Sequence, residues 1–150
     1  MSAQPVIEVR DLRKSFGDHE VLKGVSLSVD DGQTLVVLGP SGCGKSVLLK
    51  HIIGLMKPDS GAILFEGQDI TEMDDRELSK IRTGFGMVFQ GAALFDSMTV
   101  GENVGLPLKE HRRMRDPELS RTVKQKLGLV GLEGISSLYP SEISGGMKKR

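Results

Sequence analysis

The stretch Leu35–Leu55, LVVLGPSGCGKSVLLKHIIGL, decides the fold that the sequence predicts. Its first four residues, Leu35–Leu38, form an unbroken apolar run, which predicts a strand buried on both faces of a sheet. A glycine-rich loop follows, and then a mostly apolar helix from Val47 to Ile53, which Gly54 ends. This order of strand, G-x-x-x-x-G-K-S and helix is the phosphate-binding P-loop in the context that the motif requires.

The residue types of this loop suit the binding of phosphate groups. Glycines allow positive φ angles and let the backbone approach a ligand closely. The freed N–H groups form an anion-binding concavity at the positive end of the helix. Lys45 can reach the β- and γ-phosphates of a nucleotide, and the Ser46 hydroxyl can bind Mg²⁺. With 19 glycines in 150 residues, a chance match has odds on the order of 2 in 100, so we reject an ordinary glycine-rich turn.

The composition limits the class of protein. At 150 residues, 38% of them hydrophobic, the chain is one domain or part of one, with enough apolar side chains for a core. The 20 basic and 20 acidic residues cancel, so we expect no nucleic acid as the main partner. The single cysteine, Cys43, cannot form an internal disulfide, which is typical of a reducing compartment. Because no apolar run approaches membrane-spanning length and the N-terminus lacks a secretion signal, we expect a soluble, cytoplasmic chain.

Regular structure is predicted on both sides of the P-loop. Val6–Val29 predicts antiparallel strands, because its last residues alternate between apolar side chains and serine. Ala62–Phe65 predicts a short strand. A carboxylate follows it, which is the form of a Walker B strand, but the hairpin-like turn that closes this strand argues against that assignment. Asp74–Glu77 has the form of a capping box at the start of a helix that runs to about Arg82. Gly86–Phe89 predicts a strand that ends at Gln90.

The C-terminal third is predicted to be mainly helical. Gly91–Pro107 is expected to be partly helical, and Lys109–Arg115 is either a solvated basic loop or a contact with anionic lipid headgroups. Asp116-Pro117 predicts an N-cap followed by proline at the first helical position. Apolar residues then recur every four positions on one helix face, at Leu119, Val123 and Leu127. Near the C-terminus, Ser144-Gly145-Gly146 is either a flexible turn or an anion site at a helix start.

In this order, the motifs resemble the N-terminal part of an ABC-transporter nucleotide-binding domain over essentially the whole chain. Gly39–Ser46 matches the Walker A motif, and Gln90 matches the Q-loop glutamine. Ile143–Met147 matches the signature motif, with isoleucine for the usual leucine and methionine for the usual glutamine. Phe16 falls where the family stacks an aromatic ring on adenine. The segments GAALFDSMTVGENV and PLKEH, with the Met-ending signature, resemble more narrowly the ATPase of the Mla/Ttg2-type phospholipid (toluene-tolerance) transporter, which works with an MCE-domain protein.

The resemblance implies an α/β fold with a P-loop NTPase (RecA-like) core, an antiparallel β-subdomain and part of a helical subdomain. It implies the β-subdomain and P-loop core at about residues 1–90, and the helical subdomain through the signature motif at about 91–150. Members of the family continue through Walker B, a catalytic glutamate and a switch histidine. The sequence stops at Arg150, and its 3 histidines all precede the signature motif. We therefore expect a domain that is incomplete at its C-terminus, truncated before Walker B.

The resemblance also implies a function. A head-to-tail dimer would bind ATP and Mg²⁺ and, when full-length, hydrolyse ATP to drive transport of lipid or another hydrophobic substrate. Its partners would be transmembrane permease subunits and an MCE-domain protein, at the cytoplasmic face of the inner membrane. Lys45 and Gln90 would be catalytic, and Ser46 and Gln90 would bind Mg²⁺. The residues implied in ATP binding are Phe16, Gly39, Pro40, Ser41, Gly42, Cys43, Gly44, Lys45, Ser46, Val47, Ser144, Gly145 and Gly146. Alone, the 150-residue chain would be inactive.

Three other classes of protein share part of this pattern. A GTPase is excluded, because guanine recognition commonly uses Asn-Lys-x-Asp and the sole asparagine, Asn103, precedes Val104. A soluble ABC ATPase of repair or translation often carries two cassettes or long insertions, and neither is visible. A fragment that only binds nucleotide or a partner remains open, and an ATPase assay would separate it from a hydrolase.

Overall fold

The computed structural model describes residues 4–89, 91–112 and 114–150. Gln90, the predicted Q-loop glutamine, lies outside the described residues. The chain divides into two compact units, Met1–Gly86 and Met87–Arg150. Their assignment to the predicted core and helical subdomains stays a prediction.

A four-stranded antiparallel sheet forms one layer of the first unit. Its strands are β1 (Ile7–Phe16), β2 (His19–Val29), β3 (Ser60–Phe65) and β4 (Gln68–Asp69), in the spatial order β2-β1-β3-β4. Val9 of β1 pairs with Leu27 on one side and with Ile63 on the other. The predicted antiparallel strands of the N-terminal segment and the predicted strand at Ala62–Phe65 are therefore confirmed.

Two helices complete the first unit, α1 (Lys45–Ile52) and α2 (Asp75–Arg82). The capping box predicted for α2 is confirmed, because Asp74 accepts a hydrogen bond from the Glu77 N–H at 2.8 Å and Glu77 accepts one from the Asp74 N–H at 3.0 Å. At the other end of α2, the Arg82 guanidinium donates to the carbonyl of Gly54 at 2.6 Å. This bond satisfies a carbonyl group just after the end of α1, so the two helices support each other.

Apolar side chains of the sheet and both helices form the core of the first unit. The buried members are Val9, Leu12, Leu22, Leu48, Ile52, Ile63, Ile70 and Leu78. Each such burial contributes roughly 1.5–3 kcal/mol. His51 of α1 is also fully buried, and its Nδ1 lies 2.7 Å from the Val47 carbonyl oxygen one turn earlier. Since a carbonyl only accepts, Nδ1 carries the proton and donates.

The second unit is helical. It contains α3 (Val100–Arg112), α4 (Glu118–Leu129), a short 3₁₀ turn (Pro140–Glu142) and α5 (Gly145–Lys149). The predicted apolar face of α4 is confirmed, since Val123 and Leu127 are buried and Leu119 packs against them. The remaining buried core residues are Val100, Leu132 and Ile143. In neither unit is any described helix long and apolar enough to cross a membrane.

Two predicted strands are wrong as strands in this structure. Leu35–Leu38 has no strand structure and is exposed, with 68% of Val36 and 87% of Leu38 accessible to solvent. Gly86–Phe89 is also irregular, and Val88 is 85% exposed. A strand exists only where a neighbour completes its hydrogen bonds, and no segment among the described residues pairs with either run. The apolar sequence alone therefore did not produce a buried strand.

Three helix boundaries also differ from the predictions. α1 begins two residues earlier than predicted, at Lys45, and ends at Ile52. The N-cap of α4 is Pro117 rather than Asp116, and no side chain caps this helix. The first residues of the basic segment 109–115 continue α3 as far as Arg112, so this part is not a loop. The helix α3 runs through Pro107.

Gly61 provides a test of the sheet packing. Its φ is +95°, and a Cβ atom there would lie 2.5 Å from the Asp11 carbonyl oxygen and 2.6 Å from that of Arg10. We expect Gly61→Ala to lower the free energy of unfolding by roughly 3–5 kcal/mol, through overpacking plus left-handed strain. Gly32→Ala is the matched control, because its φ is +70° and nothing lies within 4 Å of the added Cβ. It should cost only roughly 1–2 kcal/mol. Equal losses in chemical denaturation would contradict this account.

Candidate functional site

The P-loop residues surround the N-terminus of α1. Gly44 is the N-cap, with φ of 97°, and no side chain caps the helix. The first helical hydrogen bond runs from the Leu48 N–H to the Gly44 carbonyl at 2.8 Å. The backbone N–H groups of Lys45, Ser46 and Val47 therefore have no acceptor within the helix. An uncapped helix N-terminus of this kind is suited to bind an anion.

The side chain of Lys45 folds over its own loop. Its ammonium nitrogen donates to the carbonyl oxygens of Gly39 at 2.8 Å and Pro40 at 2.7 Å, and it lies 3.7 Å from the Cys43 sulfur. Among the described residues, no carboxylate forms an ion pair with Lys45. Two neutral carbonyls thus hold a full positive charge, which remains available to an anionic ligand.

The backbone of the loop requires glycine at two positions, for two different reasons. At Gly44 the space is filled, because a Cβ atom would lie 2.9 Å from Val21 Cγ1 and 3.2 Å from Leu22 Cδ2. At Gly42 the space is open, but φ is +84°, which strains any other residue. The close approach at Gly44 brings β2 against the start of α1. The loop that presents the N–H groups is therefore fixed to the sheet.

The other predicted residues of the loop lie around this concavity. Ser41 and Gly42 form an exposed turn, and Cys43 is exposed. Ser46 is exposed in the first turn of α1, and Val47 is half-buried beside it. The structure thus brings together all the predicted Walker A residues in one loop and one helical turn.

Phe16, the predicted adenine-stacking residue, ends β1. Its ring is 47% exposed, and the Lys14 ammonium lies 5.9 Å from the ring centre. Lys14 also forms an ion pair with Asp59 at 2.6 Å, and Asp59 accepts the Ser15 N–H at 2.7 Å. The hydrogen bond from Lys14, followed by that from Ser15, holds the pKa of the Asp59 carboxyl below its usual value. The backbone beside Phe16 is therefore fixed to the turn that follows α1, while the residue itself stays nearly half exposed.

The predicted signature residues lie in the second unit. Ser144 is the N-cap of α5, and its hydroxyl oxygen accepts the Met147 N–H at 3.2 Å. A helix therefore begins here. This confirms the helix start that one of the two alternatives, the anion site, required. Gly145 and Gly146 are exposed in the first turn. The Ser144 hydroxyl hydrogen is not used in this bond and can donate to another acceptor.

Sequence reasoning missed a set of contacts before α3. Thr99 and Glu102 form a reciprocal pair, in which Glu102 accepts the Thr99 N–H at 2.7 Å and Thr99 Oγ1 accepts the Glu102 N–H at 3.2 Å. The bond from the Thr99 N–H, with that from its hydroxyl, lowers the pKa of Glu102. The pattern T-x-x-E signals such a capping box and was visible in the sequence. Asn103, by contrast, bonds to four backbone groups that no local pattern indicates.

Comparisons with known proteins agree with this geometry. A sequence model described as ABC transporter matches residues 22–150. The probable ribonucleotide transport ATP-binding protein mkl of Mycobacterium leprae is 49% identical over 144 residues, which are 96% of this chain and 42% of that protein. The intermembrane phospholipid transport system ATP-binding protein MlaF of Haemophilus influenzae is 42% identical over 147 residues, 98% of this chain and 56% of that protein.

A solved structure is also similar. The dimeric structure of a post-hydrolysis state of an ATP-binding cassette, bound to ADP and Pi, matches with a TM-score of 0.86 at 33% identity. The match covers 95% of this chain and 65% of that one. The chain spans only part of the length of these curated relatives, from 40% of one mkl protein to 56% of MlaF.

The charge of Lys45 gives a direct test of the site. We expect Lys45→Ala to weaken binding of ATP–Mg²⁺ by at least about 100-fold, because two charge-assisted contacts to phosphate are lost. The fold should remain, since this ammonium is outside the core. Lys50→Ala is the matched control, because Lys50 is an exposed lysine of the same helix. Titration with a fluorescent ATP analogue measures both variants, and a Lys45→Ala chain that binds like the parent would refute the assignment.

Proposed function

The chain belongs to the ABC transporter family, and from this we propose that it is the ATP-binding part of a transport ATPase. The observation that carries the proposal is the position of Lys45 beside the uncapped N-terminus of α1. A positive charge and free backbone N–H groups converge there, which is the chemistry that a nucleotide's phosphates need. When ATP binds, Lys45 would exchange its two carbonyl contacts for phosphate oxygens.

The residues around the loop fit a role for Mg²⁺. The Ser46 hydroxyl is exposed in the first turn of α1 and has no protein partner among the described hydrogen bonds. No cluster of three metal-binding side chains occurs in the described parts of the chain. Mg²⁺ would therefore be held by Ser46, phosphate oxygens and water, and by Gln90 as the resemblance implies. The ion would neutralise charge on the β- and γ-phosphates.

We propose that two copies bind ATP between them, head to tail. Ser144 begins a helix whose first turn is exposed and glycine-rich, so its hydroxyl and the Gly146 N–H can face a γ-phosphate held by the P-loop of the other copy. The similar solved cassette is described as dimeric, which supports this arrangement. Phe16, nearly half exposed, would stack on adenine.

The cargo is proposed from the narrower resemblance. The relatives are named for ribonucleotide transport, intermembrane phospholipid transport and methionine import. The GAALFDSMTVGENV segment and the Met-ending signature favour lipid or another hydrophobic substrate. On this proposal, the chain works at the cytoplasmic face of the inner membrane with permease subunits and an MCE-domain protein.

The contact with the permease is proposed for residues 91–107. Phe95 in this segment is 55% exposed, and aromatic side chains are enriched at protein–protein interfaces. A soluble ABC ATPase of repair or translation would lack such a membrane partner. Crosslinking therefore distinguishes the two classes.

We expect a cysteine placed at Ser97, an exposed residue two positions after Phe95, to crosslink to the cytoplasmic loop of a permease subunit. The experiment uses the full-length protein in native membranes, with Cys43 replaced by serine. Gln125→Cys on α4, also exposed, is the control position. Mass spectrometry identifies the crosslinked partner. Crosslinks that reach only soluble proteins would contradict the transporter assignment.

We propose that residues 1–150 bind ATP without hydrolysing it. Phosphoryl transfer needs a carboxylate to position the attacking water and support Mg²⁺. The resemblance to the ABC family implies that this carboxylate follows the signature motif, and residues 1–150 extend only to that motif. In a phosphate-release assay, a longer natural chain that contains this sequence should turn over ATP, and the 150-residue chain should not. Equal turnover by the two would show that the described residues supply a base.

A further inference from the structure

The segment before α3 has an unusual backbone. Ala92 and Ala93, two consecutive residues other than glycine, have φ angles of 64° and 50°. Side chains disfavour this left-handed conformation, so it persists only where surrounding contacts impose it. Strain of this kind in a surface segment is concentrated at functional sites.

One side chain, together with one backbone hydrogen bond from the Met98 N–H to the Phe95 carbonyl at 3.1 Å, fixes the residues that follow. The Asn103 Oδ1 atom accepts the Phe95 N–H at 2.8 Å. Its Nδ2 atom lies within hydrogen-bonding distance of the carbonyl oxygens of Phe95 at 3.1 Å, Met98 at 3.1 Å and Thr99 at 2.9 Å, and these three acceptors share its two hydrogens. Asn103 therefore contacts both backbone groups of Phe95, the carbonyl of which also accepts the Met98 N–H, and it fixes the turn Phe95–Thr99 to the first turn of α3.

The same turn presents an exposed apolar ring. Phe95 is 55% exposed although both of its backbone polar groups are bonded. Asp96, the next residue, is exposed and forms no ion pair within the described part of the chain. A rigid backbone beside an exposed ring reduces the conformational entropy that is lost on binding. This is the physical advantage of a preorganised anchor.

We propose that Asn103 is a positioning residue for the docking of the permease. It holds the Phe95–Thr99 turn so that the Phe95 ring enters an apolar pocket on the permease's cytoplasmic loop, where a basic side chain faces Asp96. Charge complementarity favours this partner: Asp96, beside the ring, forms no ion pair with any described residue, and cytoplasmic loops of membrane proteins carry an excess of Lys and Arg. The inference rests on the proposed function, in which residues 91–107 contact the permease.

Two pairs of substitutions separate positioning from mere stability. Asn103→Asp keeps the acceptor for the Phe95 N–H but turns a carboxylate oxygen toward three carbonyls, and Asn103→Ala removes all four bonds. Glu102→Gln is the matched control on the same turn, because glutamine also completes a capping box with Thr99. Phe95→Ala removes the anchor itself.

The measurement is affinity for the permease subunit found by crosslinking, reconstituted in nanodiscs, with the full-length protein. We expect both Asn103 variants and Phe95→Ala to bind the permease about tenfold more weakly, and Glu102→Gln to bind normally. ATP affinity should stay within about twofold for all of them. The double variant Asn103→Ala/Phe95→Ala should bind no more weakly than Phe95→Ala, because positioning acts only through the ring.

Several outcomes would overturn the inference. Normal permease binding by the Asn103 variants, with weak binding by Phe95→Ala, would reject Asn103 as a positioning residue and leave the proposed function intact. Additive losses in the double variant would reject positioning in favour of a separate role. Equal losses of ATP affinity would show a general structural effect. The absence of any permease crosslink would reject the proposed partner, and with it the docking role.

Hydrogen exchange on the unmodified full-length protein covers the case in which the Asn103 variants do not fold. The Phe95 amide should exchange more slowly than those of Asp96 and Ser97, because only Phe95 donates to Asn103 among these three. Protection of Phe95 should rise further when the permease binds. An unprotected Phe95 amide would overturn the inference.

Discussion

The bond between the Lys45 ammonium and the carbonyls of Gly39 and Pro40 is the interaction on which the candidate site depends. It joins the start of the glycine-rich loop to the first residue of α1, so the loop is closed against the helix. Neutral carbonyls hold the charge without cancelling it. A phosphate can replace them with a stronger, charge-assisted contact at the same position, and the loop need not form again from an open state.

This loop is useful only because α1 is fixed behind it. Leu48 and Ile52 bury one face of the helix in the core of the first unit, and Gly44 brings its N-terminus against β2. Arg82 bonds to the carbonyl of Gly54 just beyond its C-terminal end. An anion site at a helix N-terminus loses its geometry if the helix shifts, so these three contacts on α1 also determine the precision of the site.

The features that could be predicted from sequence depend on residues close together in the chain. The helix that follows the glycine-rich loop, the Asp74–Glu77 capping box and the helix start at Ser144 each need only a few neighbouring positions, and each was found in the structure. Leu35–Leu38 failed because a buried strand needs distant partners that its own sequence does not specify. Asn103 was missed for the opposite reason. Its four bonds are local, but an asparagine inside a helix has no spacing rule that identifies it.

The two apolar runs that lack strand structure end directly at predicted site residues. Leu35–Leu38 leads into Gly39, whose carbonyl bonds to Lys45, and Gly86–Phe89 leads into Gln90. In α/β folds, ligands bind beyond the carboxyl ends of strands, because the strands fix the residues that follow them. Neighbours that buried these runs would therefore add apolar burial to the stability and hold Gly39 and Gln90 at fixed points. The backbone N–H groups and the lysine charge of the proposed phosphate site meet at the start of α1, whereas the long-range positioning of this site depends on strand pairing. Pairing of these two runs as strands would thus stabilise the fold and, by the same contacts, hold the site residues in place.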